Sequence, residues 1–225
     1  MKKIFLNIFS TVVLLAGVGH VNATPIISGN GNETCEYGQP LIDLGYDKKG
    51  ECGVTTVTPH SAWQTNDPNG YGAEWISYGK TGIAGSTLAP PSGQDVVVRI
   101  FETLYVKAGD ILSLQVWADD TAEVFVGSIS KNIPNFTQST CANGPIGCQP
   151  HEFGQIHHEF TSAGAFNLRF DLFQVGTGDT NPSNPFGLLY SGTLTSTSVP
   201  EPSVLALLAF GLIGLGFTRR FNKKA

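Results

Sequence analysis

Hydrolysis by an activated serine needs a Gly-x-Ser-x-Gly elbow, and this sequence has none. It also lacks a Gly-rich phosphate loop, a dinucleotide fingerprint and a Cys-x-x-Cys pair, so nucleotide, hydride-transfer and thiol-redox chemistry have no support. His151 to His157 superficially resembles a zinc-protease motif, but those two histidines are six positions apart rather than four and cannot share one helical face. His157 and His158 are adjacent and on a strand point to opposite faces, so ordinary surface and core roles are expected of them. Positive charge is scarce as well. Six of the 13 Lys+Arg and one of the 18 Asp+Glu lie near the two ends, which leaves 7 basic and 17 acidic residues between Thr24 and Ser198. A net charge near −10 would repel nucleic acid and anionic lipid, which excludes both as partners. Between residues 24 and 198 no long apolar repeat of helical period occurs, and little helix is expected.

What is present falls into three parts. Lys2 and Lys3, the apolar run Ile4–Val18 and the small-residue site Val21-Asn22-Ala23 have the layout of a secretory signal peptide, with cleavage expected after Ala23. At the other end, Val199-Pro200-Glu201-Pro202 precedes an uncharged apolar block, Ser203–Phe217, and a basic cluster of Arg219, Arg220, Lys223 and Lys224. Fifteen helical residues reach about 22 Å, short of a ~30 Å hydrocarbon core, and snorkelling arginines make a thin span feasible. The two prolines stop the helix from extending backwards. A plain C-terminal transmembrane anchor is one reading. Motif, apolar block and basic tail in this order also resemble the PEP-CTERM sorting signal of Gram-negative bacteria. The resemblance implies an exosortase-type partner that cuts at the Pro200-Glu201-Pro202 motif, with inner-membrane anchoring during sorting and a final place in the envelope or outside the cell. The expected division is a signal peptide over 1–23, an exported domain over 24–198 and a sorting or anchor segment over 199–225.

Cys35, Cys52, Cys141 and Cys148 all lie in the middle part. In an oxidising compartment they are expected to form two bridges, with three connectivities open. Local pairing, Cys35–Cys52 and Cys141–Cys148, would staple one loop each. Zinc is the competing use of these sulfurs, with His151 nearby, but export and the lack of a close pair argue against it. No cofactor is expected. A structural calcium at Asp119 and Asp120 is the functional alternative to a turn in which each aspartate bonds its own backbone. Asp43, Asp47 and Glu51 miss the spacing of a calcium loop.

Short strand-like runs fill the middle. Thr24 to about Gly53 reads as a loop-rich lead-in with one short apolar patch at Leu41–Leu44 and at most one edge strand. Val54–Thr58, Ala73–Tyr78, Asp95–Val106, Ile111–Trp117, Glu123–Ile129, Gln155–Thr161, Phe166–Phe173 and Phe186–Thr195 follow, separated by turn signals such as Asp67-Pro68-Asn69-Gly70. In Ile111–Trp117, Leu112, Leu114 and Val116 face one way and Ser113, Gln115 and Trp117 the other. Asp119-Asp120-Thr121 is expected to turn this strand into a hairpin with the next. Many short strands in about 175 residues predict an all-β, two-sheet sandwich. The order of strands around Ala118-Asp119-Asp120, Gly164–Asp171 and Phe186-Gly187-Leu188-Leu189-Tyr190 resembles exported jelly-roll domains of the galactose-binding-like type. That resemblance implies a jelly-roll fold and, by analogy, a carbohydrate ligand.

Sugar rings stack on aromatic faces while their hydroxyls need polar partners. Trp63, Tyr71, Trp75 and Trp117 are therefore the candidate ligand-binding residues, with packing in the sandwich as the alternative for each. A glycoside hydrolase needs two carboxyl groups facing each other across a sugar, and no such pair stands out. The expected function is a non-enzymatic module that binds or organises extracellular polysaccharide. A structural matrix or surface protein without a defined ligand is the second reading, and a carbohydrate-active enzyme the third.

Overall fold

The computed structural model describes residues 21–46, 52–79, 84, 93–136, 146–175 and 185–197. Ala23–Thr195 forms one compact unit, and the remaining residues, Met1–Asn22 and Ser196–Ala225, lie almost entirely outside those described. β-Branched and aromatic residues alternating with polar ones build the strands, because such side chains pack well on a half-buried pleated surface. In chain order these are β1 (Val21–Ile27), β2 (Thr34–Tyr37), β3 (Thr55–Thr56), β4 (Ile76–Ser77), β5 (Val98–Val106), β6 (Ile111–Asp119), β7 (Thr121–Val126), β8 (Ile129–Ser130), β9 (Gly154–Glu159), β10 (Gly164–Phe173) and β11 (Gly187–Thr197). A helical turn, α1 (Gln39–Asp43), begins with Pro40 in its first turn and buries Leu41. The lead-in thus holds two strands rather than at most one, and its apolar patch at Leu41–Leu44 falls largely in the helical turn. Local apolar content there does not distinguish a strand from a turn of helix.

Two antiparallel sheets form the sandwich. The first runs β3-β4-β11-β6-β9, with β1 also beside β11; the second runs β2-β5-β10-β7-β8. Successive strands from β4 to β7, and again from β8 to β11, change sheets. The Lys107–Asp110 turn makes one such crossing, with Lys107 N–H donating to Asp110 Oδ2 at 2.8 Å. The expected hairpin at Asp119-Asp120-Thr121 does not form: β6 and β7 lie in different sheets. Two neighbouring strands of matching pattern cannot reveal this, because period-2 alternation is the same whether the partner is adjacent or across the core.

The core lies between the sheets and includes Ile100, Leu112, Leu114, Val116, Val124, Leu168, Phe170, Leu172 and Leu188. Phe170 and Tyr190 stack within it at 4.6 Å. Tyr190 Oη donates to Glu102 Oε2 at 2.9 Å, and Asn30 Nδ2 donates to Glu102 Oε1 at 3.1 Å. Burial pushes the Glu102 carboxyl above its ordinary range, and these two bonds hold it back. A buried carboxylate is tolerable here because both of its oxygens have donors.

Cys35 and Cys52 are bonded, joining β2 to the segment before β3 across a sequence separation of 17. Cys148 is disulfide-bonded too, and its expected partner, Cys141, lies outside the described residues. These bonds remove the zinc reading for Cys35, Cys52 and Cys148. A closed loop of this length contributes roughly 3 kcal/mol by restricting the unfolded chain. Replacing Cys35 and Cys52 together by serine should lower stability by about that amount, read as a fall in the denaturation midpoint with a steeper denaturant slope, because the uncrosslinked unfolded chain exposes more surface.

Asp119 and Asp120 are buried and bonded to residues distant in sequence rather than to their own backbone in a turn, which corrects the expectation for them. Asp119 Oδ2 accepts from Trp63 Nε1 at 2.5 Å. Asp120 Oδ2 accepts from Gln174 Nε2 and from the Val175 N–H, both at 2.8 Å. Burial first, and then the charge and hydrogen bond of Asp120, push the Asp119 carboxyl well above its ordinary value of 3.8. Asp119 therefore keeps its proton to a higher pH than an ordinary aspartate. Among the described residues no group of three or more His, Cys, Asp or Glu is placed to hold a metal ion.

This arrangement has a pH signature. Below pH 3.8 both folded and unfolded chains keep the Asp119 proton, and its stabilising effect is fully present. As pH rises past 3.8 the unfolded chain loses that proton while the folded chain retains it, so stability falls until the folded group ionises. An asparagine at this position can still accept from Trp63 and donate to Asp120, and it does not titrate. Asp119→Asn should flatten the decline and melt above the parent protein at neutral pH; a pH series of thermal melts checks this.

Candidate functional site

The outer face of the first sheet changes character along its strands. The outward residues of β6 are Trp117, Gln115 and Ser113, and those of β11 are Leu189, Ser191 and Thr193. They pair in register: Leu189 with Trp117, Ser191 with Gln115, Thr193 with Ser113. On the other side β9 adds Gln155 opposite Gln115 and His157 opposite Ser113. One apolar row is therefore followed by two polar rows, Ser191–Gln115–Gln155 and Thr193–Ser113–His157.

The apolar row is covered. Val57, Trp63, Ala73, Trp75, Trp117, Cys148 and Leu189 make a second small core on this outer face, with Ile27 and Phe153 against it. Trp63 and Trp75 lie 4.2 Å apart, and Trp117 packs on Phe153 at 5.5 Å. Each indole N–H is used internally: Trp63 on Asp119, Trp75 on Gln64 O at 2.7 Å, Trp117 on Pro150 O at 3.4 Å. Their exposures are 3%, 0% and 2%. Trp63, Trp75 and Trp117 thus pack rather than present a stacking surface, which corrects three of the four candidate aromatics. Segments around 57–75 and 146–153 fold back over the sheet and bury what the strand pattern alone left facing outward.

The polar rows are open at Ser113, Gln155 and His157 and partly at Gln115 and Thr193, while Ser191 is buried beneath them. They form the floor of a groove of about 500 Å³ whose lining also includes Asn69 and Tyr71. Tyr71, the fourth candidate, is 43% exposed. The loop that carries it is a built turn. Asp67 N–H donates to Ala73 O at 2.7 Å, and Gly72 N–H donates to Asp67 Oδ1 at 2.5 Å. Gly70 and Gly72 take left-handed φ values of 74° and 88°, which side chains with a Cβ rarely adopt. Asn69 Nδ2 ties this loop to the sheet, donating to Gln115 Oε1 at 3.2 Å and to Ser191 O at 3.3 Å. Ser113 Oγ and His157 Nδ1 are 3.4 Å apart. Ser191 Oγ lies buried with no hydrogen-bond partner among the described residues. An unsatisfied buried hydroxyl under a groove costs free energy unless a ligand or water meets it.

His157 and His158 separate as their alternation requires. His157 lines the groove, while His158 packs against Phe160 at 4.7 Å and meets Lys131 Nζ at 2.8 Å. Burial and the Lys131 charge push the His158 imidazole below its ordinary value. Ser113, Gln115, Gln155, Ser191 and Thr193 were not among the candidates. Their only local signal is an outward polar position on a strand, and most such positions are simply solvated.

The fold places the protein among all-β, two-sheet sandwiches. Residues 198–220 match the PEP-CTERM protein-sorting motif, which implies export by exosortase-dependent sorting. Pro200, Glu201, Pro202, Arg219 and Arg220 lie outside the described residues, as does most of the expected signal peptide; Ala23 falls within β1. Among the described residues no helix is long and apolar enough to cross a membrane. No curated protein matches the chain. Solved structures with some likeness include a Paenibacillus cycloisomaltooligosaccharide glucanotransferase complexed with cycloisomaltoheptaose (12% identity, TM-score 0.34, covering 80% of this chain and 18% of that one). A structure described as CBM4 has 12% identity and a TM-score of 0.32, over 77% of this chain and 95% of that one. A GH31 alpha-xylosidase from Xanthomonas citri has 13% identity and a TM-score of 0.27, over 79% and 15%. The chain thus spans less than a fifth of the glucanotransferase. Likenesses at this level define neither a ligand nor an activity for it.

Proposed function

We propose that this chain is an exported, disulfide-containing jelly-roll module that associates with extracellular polysaccharide through the groove on its first sheet and does not turn it over. The signal peptide over 1–23 directs export, and the tail over 199–225 holds the protein in the inner membrane until an exosortase-type enzyme acts at Pro200-Glu201-Pro202. The observation that carries the reading is the pair of polar rows, Ser191–Gln115–Gln155 and Thr193–Ser113–His157, beside the exposed ring of Tyr71. Hydroxyl and amide groups that both donate and accept suit sugar hydroxyls, and an exposed tyrosine ring suits the apolar face of a pyranose. The described lining contains no carboxylate, so the general-acid pair of a glycoside hydrolase has no counterpart there.

The test uses the full chain in mild detergent against exopolysaccharide from the producing cell. Retention is expected to weaken at least tenfold in a Gln115→Ala, Gln155→Ala double variant, equivalent to about 1.4 kcal/mol. Unchanged retention in a variant with unaltered melting would remove the groove from the function. Intact-mass measurement of the exported product reports both processing sites at once.

A further inference from the structure

We infer that the groove selects uncharged glycans, and that neither uronate-bearing nor amino-cationic polymers are its ligands. This rests on the polysaccharide-binding reading above and narrows it to a chemical class.

The argument starts from what a charged sugar demands. A carboxylate on a ring is an acceptor carrying full charge, and sites that take it desolvated supply arginine or lysine, preferably as a bidentate fork. The described lining has neither, and His157 is its only side chain able to carry positive charge. The surrounding field opposes such a ligand as well, since residues 24–198 carry 17 acidic and 7 basic side chains. A polymer of free amino sugars would instead seek carboxylates, and the lining offers none. What it does offer is neutral and two-sided: the hydroxyls of Ser113 and Thr193, and the amides of Asn69, Gln115 and Gln155. Each can meet a sugar hydroxyl as donor or as acceptor.

The rows also have a spacing suited to a polymer. Neighbouring strands lie about 4.8 Å apart, so Thr193, Ser113 and His157 recur at a distance comparable to one hexose ring in an extended chain. An uncharged chain lying across β11, β6 and β9 would meet one of these polar side chains per ring, while Ser191 stays buried beneath the groove.

The experiment is affinity electrophoresis of the full chain in mild detergent against three sets of gels: neutral glucan, xylan and galactomannan; alginate and polygalacturonate; and chitosan. The expected result is retardation by at least one neutral polymer, insensitive to salt between low and high ionic strength and reduced at least tenfold in Gln115→Ala, Gln155→Ala. Retardation confined to alginate, polygalacturonate or chitosan and lost in the double variant would overturn the neutral-glycan inference while leaving the groove as the binding site. Retardation by none of them, or retardation that the double variant retains, would overturn the groove reading itself. Thermal melts of the variant separate a lost contact from a lost fold.

Discussion

Replacing Trp75 by alanine is expected to destabilise the folded domain by about 3–5 kcal/mol, the range for emptying a buried tryptophan site. The side chain is wholly buried against Trp63, inside the small core on the outer face of the first sheet. Its loss would reach the groove through the backbone. Trp75 N–H donates to Asn66 Oδ1 at 3.1 Å, a backbone bond that alanine retains, but the indole Nε1 donates to Gln64 O at 2.7 Å, and this pin on the segment bearing Asn69 and Tyr71 is lost. Trp75→Phe keeps an apolar ring but leaves Gln64 O without that donor, a change nearer 1 kcal/mol. Denaturant titration should therefore rank the parent protein, Trp75→Phe and Trp75→Ala in that order. Glycan retention should follow the same order at temperatures where all three remain folded. Retention by folded Trp75→Ala equal to that of the parent would show that the loop keeps its place without this pin.

Gly192→Ala should cost about 3 kcal/mol or more, by overpacking rather than by cavity formation. A Cβ at this position would lie 2.0 Å from Ser113 O and 2.8 Å from Leu114 Cα on the neighbouring strand. Those are backbone atoms of β6, a strand paired on both sides with β11 and β9, so they cannot rotate away as a flexible side chain could. Either β11 or β6 must move. Because Gly192 sits between Ser191 and Thr193, that movement would pull apart both polar rows of the groove. Lower melting together with weaker glycan retention is the expected pair of results; a melting temperature unchanged from the parent would refute the close approach of the two strands.

Most strands were legible before any coordinates. Phe166, Leu168, Phe170 and Leu172 announce β10 by alternation, and Leu168, Phe170 and Leu172 are fully buried in the core. Leu112, Leu114 and Val116 do the same for β6. The Asp67-Pro68-Asn69-Gly70 turn was equally plain, since Asp67 and Gly70 supply the chemistry such a turn needs. The tryptophans were harder. Trp117 does occupy the outward side of its strand, as its position in the alternation requires. Whether an outward position meets water depends on the 146–153 segment, which comes from far along the chain and covers it.

The ordered Pro-Glu-Pro tail, the scarcity of positive charge and the two-residue period are all properties of neighbours along the chain. They were enough to indicate an acidic, all-β protein with a sorting signal that implies export. The groove depends on which strands lie side by side and in what register: Ser191 beside Gln115, 76 positions earlier, and Gln155 beyond it. Alternation assigns a side chain to one face of its strand but carries no information about the next strand over. Folding alone brings three separate runs of ordinary polar residues into two rows, and buries three tryptophans that the sequence offered as a binding surface.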